Sequence, residues 1–110
     1  GRTDPLVIWS MRPDSLYGLF RLMQDASTNI GRIRTPVAYL YGAHDTVMPA
    51  SAARIAAARL PPGARTAYYE NGWHWLLLDR QAPVVWADVE SFILDPAAPW
   101  PSGAGPIPAP

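Results

Sequence analysis

The stretch that decides the fold is TPVAYLYGAHD, residues 35–45. Its residues from Val37 to Tyr41 are all apolar or aromatic, and a proline and a glycine bound the run. A strand with one face in water alternates polar and apolar residues, whereas an unbroken apolar run is typical of a parallel-sheet strand that is covered on both faces. The sequence therefore predicts a buried strand followed by a loop that contains Asp45.

A second segment repeats this plan further along the chain. Residues 64–69 form a short strand-like run, and the Glu-Asn-Gly sequence at residues 70–72 predicts a turn that places His74 just beyond the strand. In open parallel α/β sheets, reactive groups gather at the carboxyl ends of the strands. We therefore expect Asp45 and His74 to lie side by side, as an acid and an imidazole.

Helical periodicity surrounds these two strands. Apolar residues recur at i, i+3, i+4 and i+7 after Asp14, which is the expected N-cap, and Asn29 and Gly31 predict the end of this helix. These apolar residues are Leu16, Leu19, Phe20 and Met23. An Ala-rich stretch, residues 49–60, predicts a second helix between the strands. The chain thus contains a strand-helix-strand unit, for which a right-handed crossover is expected.

A third helix is expected from Pro83 to Asp95, because proline suits the first helical turn and the Asp-Pro pair stops the helix. Its inner face is predicted to contain Val85, Val89 and Phe92, and Asp88 is predicted to face outward. The predicted fold class is α/β, with two parallel strands, three helices and a Pro-rich tail.

The expected domain covers residues 1–94, with residues 1–13 as a connecting segment. Residues 95–110 are dominated by Pro, Ala and Gly, and we expect a disordered or loosely extended tail. Two parallel strands alone do not make a stable sheet, because three or more strands with a covered face are normally needed. The sequence therefore predicts the C-terminal part of a larger α/β domain, and its first residue, Gly1, need not be the residue at which translation begins.

The amino-acid composition excludes several classes of function. The chain has 110 residues, 49% of them apolar, which is sufficient for the core of one domain. Nine basic and nine acidic residues give a net charge of zero, so bulk electrostatics attract neither nucleic acid nor anionic lipid. The absence of cysteine excludes disulfides and a thiol nucleophile within this sequence. No apolar run is long enough to span a membrane, and the default expectation is a soluble, cytoplasmic protein.

The two loops together resemble those of a known family. YGAHDTVMP, residues 41–49, resembles the loop that contains the triad acid of α/β-hydrolases, and NGWH, residues 71–74, resembles the loop that contains the triad histidine. The LLLDRQ sequence that follows and the helix from Pro83 look most like the monoacylglycerol lipase and lysophospholipase branch, also described as serine aminopeptidase-like hydrolases. The resemblance covers about residues 4–99, and its first dozen or so residues resemble the exit from the cap region.

The resemblance implies a serine hydrolase that acts on carboxylic esters of lipids, with Asp45 and His74 as two members of the catalytic triad. It implies no cofactor and no metal, and a small acyl ester or lipid as the substrate. The chain departs from the family in its serines, none of which lies in a Gly-x-Ser-x-Gly elbow. The oxyanion-hole segment precedes the nucleophile in the family and is missing too. The nucleophile is therefore expected upstream in a parent protein, and the chain alone is predicted to be inactive.

Other interpretations of the same residues remain open at this stage. Asp45 could cap the Ala-rich helix, and His74 could be a partly buried histidine that bonds a backbone carbonyl. His44 is expected to face solvent. Trp73 and Trp75 could line an acyl pocket, although packing is the commoner role of tryptophan.

Two further alternatives concern Asp79 and the chain as a whole. Asp79 could replace Asp45 as triad acid, but a helix cap is the simpler role. The whole chain could also be a non-catalytic α/β interaction module, in which the Asp and the His have structural roles only.

Overall fold

The computed structural model describes residues 3–110. Its helices are α1 (Pro13–Asn29), α2 (Ala50–Ala58) and α3 (Ala82–Leu94), and its strands are β1 (Ala38–Gly42) and β2 (Arg65–Tyr69). A short 3₁₀ helix, Ile30–Arg32, follows α1. The predicted order of elements is confirmed, and their boundaries agree with the predicted ones to within a few residues.

The two strands form a parallel sheet with Ala38 opposite Arg65 and Gly42 opposite Tyr69. Within the described residues β1 pairs only with β2. Side chains alternate between the two faces of a strand, so β1 contributes to both sides of the sheet. Tyr41 packs with Ala53 of α2 on one side, and Leu40 packs against the cluster around Val85 of α3 on the other. The helices on both faces explain the unbroken apolar run of β1.

The first helix differs from the prediction at its start. Arg12, rather than Asp14, is the N-cap, and Asp14 lies in the first turn, where its carboxylate is paired with the Arg12 guanidinium at 2.7 Å. Proline at the first helical position moves the N-cap two residues earlier. In the described part of the chain every α1 residue remains at least partly exposed. None of the helices in residues 3–110 has the length and apolar character that a membrane crossing requires.

The third helix presents Asp88 inward, which makes the predicted outward orientation wrong. The residue is fully buried, and its carboxylate accepts a hydrogen bond from the Tyr69 hydroxyl at 2.8 Å and one from the Ser102 amide at 2.9 Å. Burial, the hydrogen bond to Asp88 and the Asp88 charge together raise the pKa of the Tyr69 hydroxyl. A polar residue that looks solvent-facing by helical spacing is covered here by the chain's own C-terminal segment.

That segment, residues 95–110, is packed, so the expectation of a disordered tail is wrong. The Gly105 carbonyl accepts a hydrogen bond from the Tyr68 amide of β2 at 2.8 Å, and the Trp100 indole donates to the Thr66 carbonyl at 3.0 Å. Ile107 is buried in the α2 side of the core. Hydrogen bonds to the edge of β2, burial of Ile107 and partial burial of Trp100 hold a segment whose composition alone favours disorder.

The expected connecting segment, residues 1–13, forms turns and irregular structure from residue 3 to the start of α1. Residues 1 and 2 lie outside the described residues.

Candidate active site

The loop after β1 fixes one oxygen of the Asp45 carboxylate. One oxygen, Oδ1, accepts hydrogen bonds from the backbone amides of Val47 and Met48, each at 2.8 Å. The Tyr41 hydroxyl donates to the Met48 carbonyl at 2.8 Å and ties this turn to the strand. The turn precedes α2, whose N-cap is Pro49. Asp45 therefore stabilises its own loop rather than capping the helix, and its second oxygen points elsewhere.

The loop after β2 approaches the first loop closely at two glycines. The His44 amide donates to the Gly72 carbonyl and the Ala43 amide to the Tyr69 carbonyl, each at 2.9 Å. A Cβ atom on Gly42 would lie 2.6 Å from the Gly72 carbonyl carbon. Only glycine at position 42 allows the two backbones to come this close, and this contact brings the two loops into register.

The structure brings Asp45 and His74 together. Nδ1 of His74 lies 2.9 Å from Oδ2 of Asp45. Because an ionised carboxylate can only accept, the ring donates through Nδ1, and its Nε2 atom is the proton acceptor of the neutral form. The Asp45 side chain is 7% exposed and the His74 side chain 40% exposed. A shielded acid thus orients an imidazole that solvent, or a substrate, can reach.

The loop geometry favours the ionised form of Asp45. Burial by itself raises the pKa of this carboxyl, but hydrogen bonds from the Met48 amide, the His74 ring and the Val47 amide outweigh it, and the pKa lies below its ordinary value. Asp45 is therefore a carboxylate throughout the neutral range and can act as the acceptor that the His74 ring requires.

The two tryptophans that flank His74 have different surroundings. Trp75 is 68% exposed, and its ring meets the His74 ring edge-on with centroids 6.1 Å apart. Trp73 is 55% exposed and stacks on His44 at 5.1 Å. Neither fills the core, so packing is not the role that the structure gives them. His44 faces solvent, as predicted.

An apolar cavity of about 310 Å³ opens beside His74. Trp75 lines it, whereas Trp73 lines a separate cavity with other residues of the same loop. The remaining lining residues come from β1, the loop and α3, and they are Leu40, Leu76, Leu77, Val85 and Val89. Sequence reasoning did not identify this set as a pocket. The signal was present only as the apolar run that follows His74.

Asp79 is not the partner of His74. Its Oδ1 accepts from the Gln81 amide at 2.9 Å, next to the start of α3, and its Oδ2 accepts from the Trp73 amide at 3.0 Å. The expected capping role is wrong, because Gln81 is the N-cap of α3 and no side chain caps that helix; the contact to the Gln81 amide is a local turn, and the contact to Trp73 was not foreseen. Among residues 3–110 no group of three or more His, Cys, Asp or Glu side chains is arranged to hold a metal ion.

The serines of the chain do not complete a triad. Within the described residues no serine hydroxyl is hydrogen-bonded to His74. Ser102, whose sequence context is Pro-Ser-Gly, instead donates its hydroxyl to the buried carboxylate of Asp88. The site therefore contains an acid-imidazole pair without a nucleophile.

Comparison with known proteins identifies the family of this chain. The family model described as serine aminopeptidase, S33, matches residues 2–81, which is well over half of the chain and includes β1, β2 and both loops of the site. A search of curated proteins found no match, and a search of solved structures found none either. The chain belongs to the serine aminopeptidase S33 family, within the α/β-hydrolase superfamily.

Proposed function

We propose that this chain is the C-terminal part of a serine hydrolase that cleaves carboxylic esters of lipids, similar to a lysophospholipase or monoacylglycerol lipase. In this proposal Asp45 and His74 are the acid and the base of the triad. The observation that carries it is the 2.9 Å contact between His74 Nδ1 and Asp45 Oδ2 at the carboxyl ends of two adjacent parallel strands.

The reaction would proceed by acyl transfer to a serine and then to water. His74 Nε2 takes the proton of the serine hydroxyl as the serine oxygen bonds to the ester carbonyl carbon. His74 returns that proton to the alcohol oxygen as the ester bond breaks. Water then attacks the acyl-serine, gives its proton to His74 and releases the acid, while the proton on His74 restores the serine hydroxyl. Asp45 stabilises the imidazolium at each stage and does not itself become protonated.

The nucleophile is proposed to lie in a segment of the parent protein that precedes residue 1. Two observations support this placement. No serine of the chain lies in a Gly-x-Ser-x-Gly elbow, and β1 has a paired neighbour on only one side within the described residues. In α/β-hydrolases the chain order is serine, acid and histidine, and the order of Asp45 and His74 agrees with it.

The apolar cavity supports a lipid ester as the substrate. It lies directly beside His74, and its lining side chains are aliphatic or aromatic apart from the histidine itself. Ligand pockets of this kind bind an apolar group and leave orientation to a few polar atoms. An acyl chain bound against Trp75 and Leu77 would place its ester group next to the imidazole.

Activity of the parent protein tests the proposal. The open reading frame that contains this chain would be expressed in full and assayed with a monoacylglycerol and with a short-chain ester. We expect His74→Ala to lower kcat by roughly 10⁶-fold with folding preserved, because removal of the triad base leaves only binding and oxyanion stabilisation.

The matched control is His44→Ala, because His44 is the only other histidine and lies one residue from Asp45. This variant should keep activity within a few-fold of wild type. Equal turnover by wild type and by His74→Ala would contradict the proposal and would favour a non-catalytic interaction module.

A further inference from the structure

We propose that Asp79 is a positioning residue for His74, whose carboxylate closes the loop that presents the imidazole to Asp45. This inference rests on the role proposed for His74 above. It concerns the loop between β2 and α3, residues 70–81, which we term the histidine loop.

The Asp79 carboxylate joins the two ends of the histidine loop. Oδ2 accepts a hydrogen bond from the Trp73 amide at 3.0 Å, and Oδ1 accepts one from the Gln81 amide at 2.9 Å. Between these points the amides of Leu78 and Asp79 both donate to the Trp75 carbonyl, at 2.8 and 3.0 Å. The chain from residue 73 to residue 79 is therefore a closed ring, and His74 lies within it.

Apart from its hydrogen bond to Asp45, the imidazole depends on its backbone for position. Its side chain is 40% exposed, and the ring that meets it edge-on, Trp75, is 68% exposed. The N–H that bonds Asp79 belongs to the peptide group between Gly72 and Trp73, one residue before the histidine. Restraining that group fixes where the chain enters the turn that contains His74, and a catalytic group must be held to within about 0.5 Å of its working position.

The two contacts of Asp79 differ in what they require. The bond to the Gln81 amide is a local contact to the residue two positions on, which a serine hydroxyl can also make. The bond to the Trp73 amide crosses the loop and needs a longer side chain with a second acceptor. A role confined to the local turn before α3 depends on the first contact only, whereas the positioning role depends on the second.

Asp79→Ser separates these two roles, and Asp79→Ala removes both contacts. Each variant of the 110-residue chain would be labelled uniformly with ¹⁵N, so that backbone amides and histidine rings are both observed, and studied by NMR at about pH 8.5, above the ordinary range of histidine titration. The chain has only two histidines, so His44→Gln assigns the second ring. All samples would contain Leu16→Gln and Phe20→Gln, which reduce apolar exposure on α1 and lie outside the histidine loop.

In wild type we expect ¹⁵N shifts of a single Nδ1-protonated tautomer for His74 and a hydrogen-bonded Nδ1 proton signal. Asp45→Asn serves as the reference for a broken pair. Asp79→Ala and Asp79→Ser should both lose the Nδ1 proton signal and shift toward a mixture of tautomers, while the backbone amide signals of β2 and α3 stay in place in Asp79→Ser.

Three results would overturn the proposal. Wild-type ring shifts in Asp79→Ser would leave Asp79 with a local turn role only, and loss of the β2 and α3 amide signals in that variant would show a general structural role. A wild-type spectrum equal to that of Asp45→Asn would show that His74 and Asp45 are not hydrogen-bonded in solution. The NMR measurement reports the position of the His74 ring and needs no catalytic turnover. Failure of the positioning role of Asp79 is therefore distinguishable from failure of the catalytic role of His74, which the activity assay tests.

Discussion

At the scale of single residues, Asp45 has two functions that are divided between its oxygens. Oδ1 holds the amides of Val47 and Met48, and Oδ2 orients His74. The loop contacts keep the carboxylate ionised, and the ionised carboxylate fixes which ring nitrogen holds the proton. A residue that stabilises its own loop can thus also determine the tautomer of its neighbour.

The lowered pKa of Asp45 predicts how stability changes with pH. The folded chain binds fewer protons at this group than the unfolded chain in acid, so its contribution is fully present above the unfolded pKa and is lost as the pH falls through the folded pKa. We therefore expect the free energy of unfolding to decrease less steeply between about pH 5 and pH 3 in Asp45→Asn than in wild type. Urea denaturation across this range measures the free energy of unfolding of both proteins. An equal decrease in wild type and in Asp45→Asn would contradict the prediction.

At the scale of elements, the site depends on how closely two strand ends approach each other. The loops after β1 and β2 share hydrogen bonds between backbone groups, and the crossing point is formed by Gly42 and Gly72. Parallel pairing brings the carboxyl ends of the strands together, but glycine at the crossing decides the final separation. The Asp45–His74 distance is therefore set by backbone packing as well as by the two side chains.

Gly42→Ala should disrupt this crossing. The new methyl group would lie 2.6 Å from backbone atoms of Gly72 and 2.8 Å from the Trp73 carbonyl oxygen, so one loop has to move. We expect a loss of about 1–3 kcal/mol in the free energy of unfolding, measured by urea denaturation, as is usual for overpacking.

Gly18→Ala is the matched control for this substitution. A Cβ atom on Gly18 meets nothing within 4 Å, and the residue lies inside α1, where alanine should stabilise the chain by about 0.5–1 kcal/mol. Equal stability of the two variants would contradict the close approach of the loops.

At the scale of the whole molecule, the C-terminal segment covers one edge of the sheet and leaves the other edge open. Residues 95–110 lie along the edge of β2, and within the described residues the far edge of β1 has no paired strand. The apolar face of α1 is exposed as well, including Leu16 and Phe20. The open edge and the exposed helix face both support the proposal that the chain is part of a larger α/β domain.

Ile107→Ala tests whether the C-terminal segment is packed. Ile107 is buried against α2 and the sheet, so its truncation should cost about 2–5 kcal/mol in the free energy of unfolding. Pro108→Ala, at an exposed neighbouring position, should change it by about 1 kcal/mol or less. Thermal or urea denaturation of both variants measures the difference, and two neutral substitutions would indicate a tail that does not pack.

The sequence by itself determined the order of the elements, their approximate boundaries and the pairing of Asp45 with His74. These features follow from local patterns: the apolar run of β1, the helical spacing of α1 and α3, and the turn residues after each strand. Because parallel strands align their carboxyl ends, two local patterns were enough to place an acid beside an imidazole.

Only the tertiary structure decided the inward orientation of Asp88, the packing of the C-terminal segment and the second contact of Asp79. Asp88 bonds Ser102, which is 14 residues away, and the Ile107 amide bonds the Thr66 hydroxyl, which is 41 residues away. Periodicity describes which face of an element is apolar, but not which distant segment covers the other face. Composition favoured disorder at the C-terminus, and hydrogen bonds to a free strand edge, together with the burial of Ile107 and the partial burial of Trp100, outweighed it.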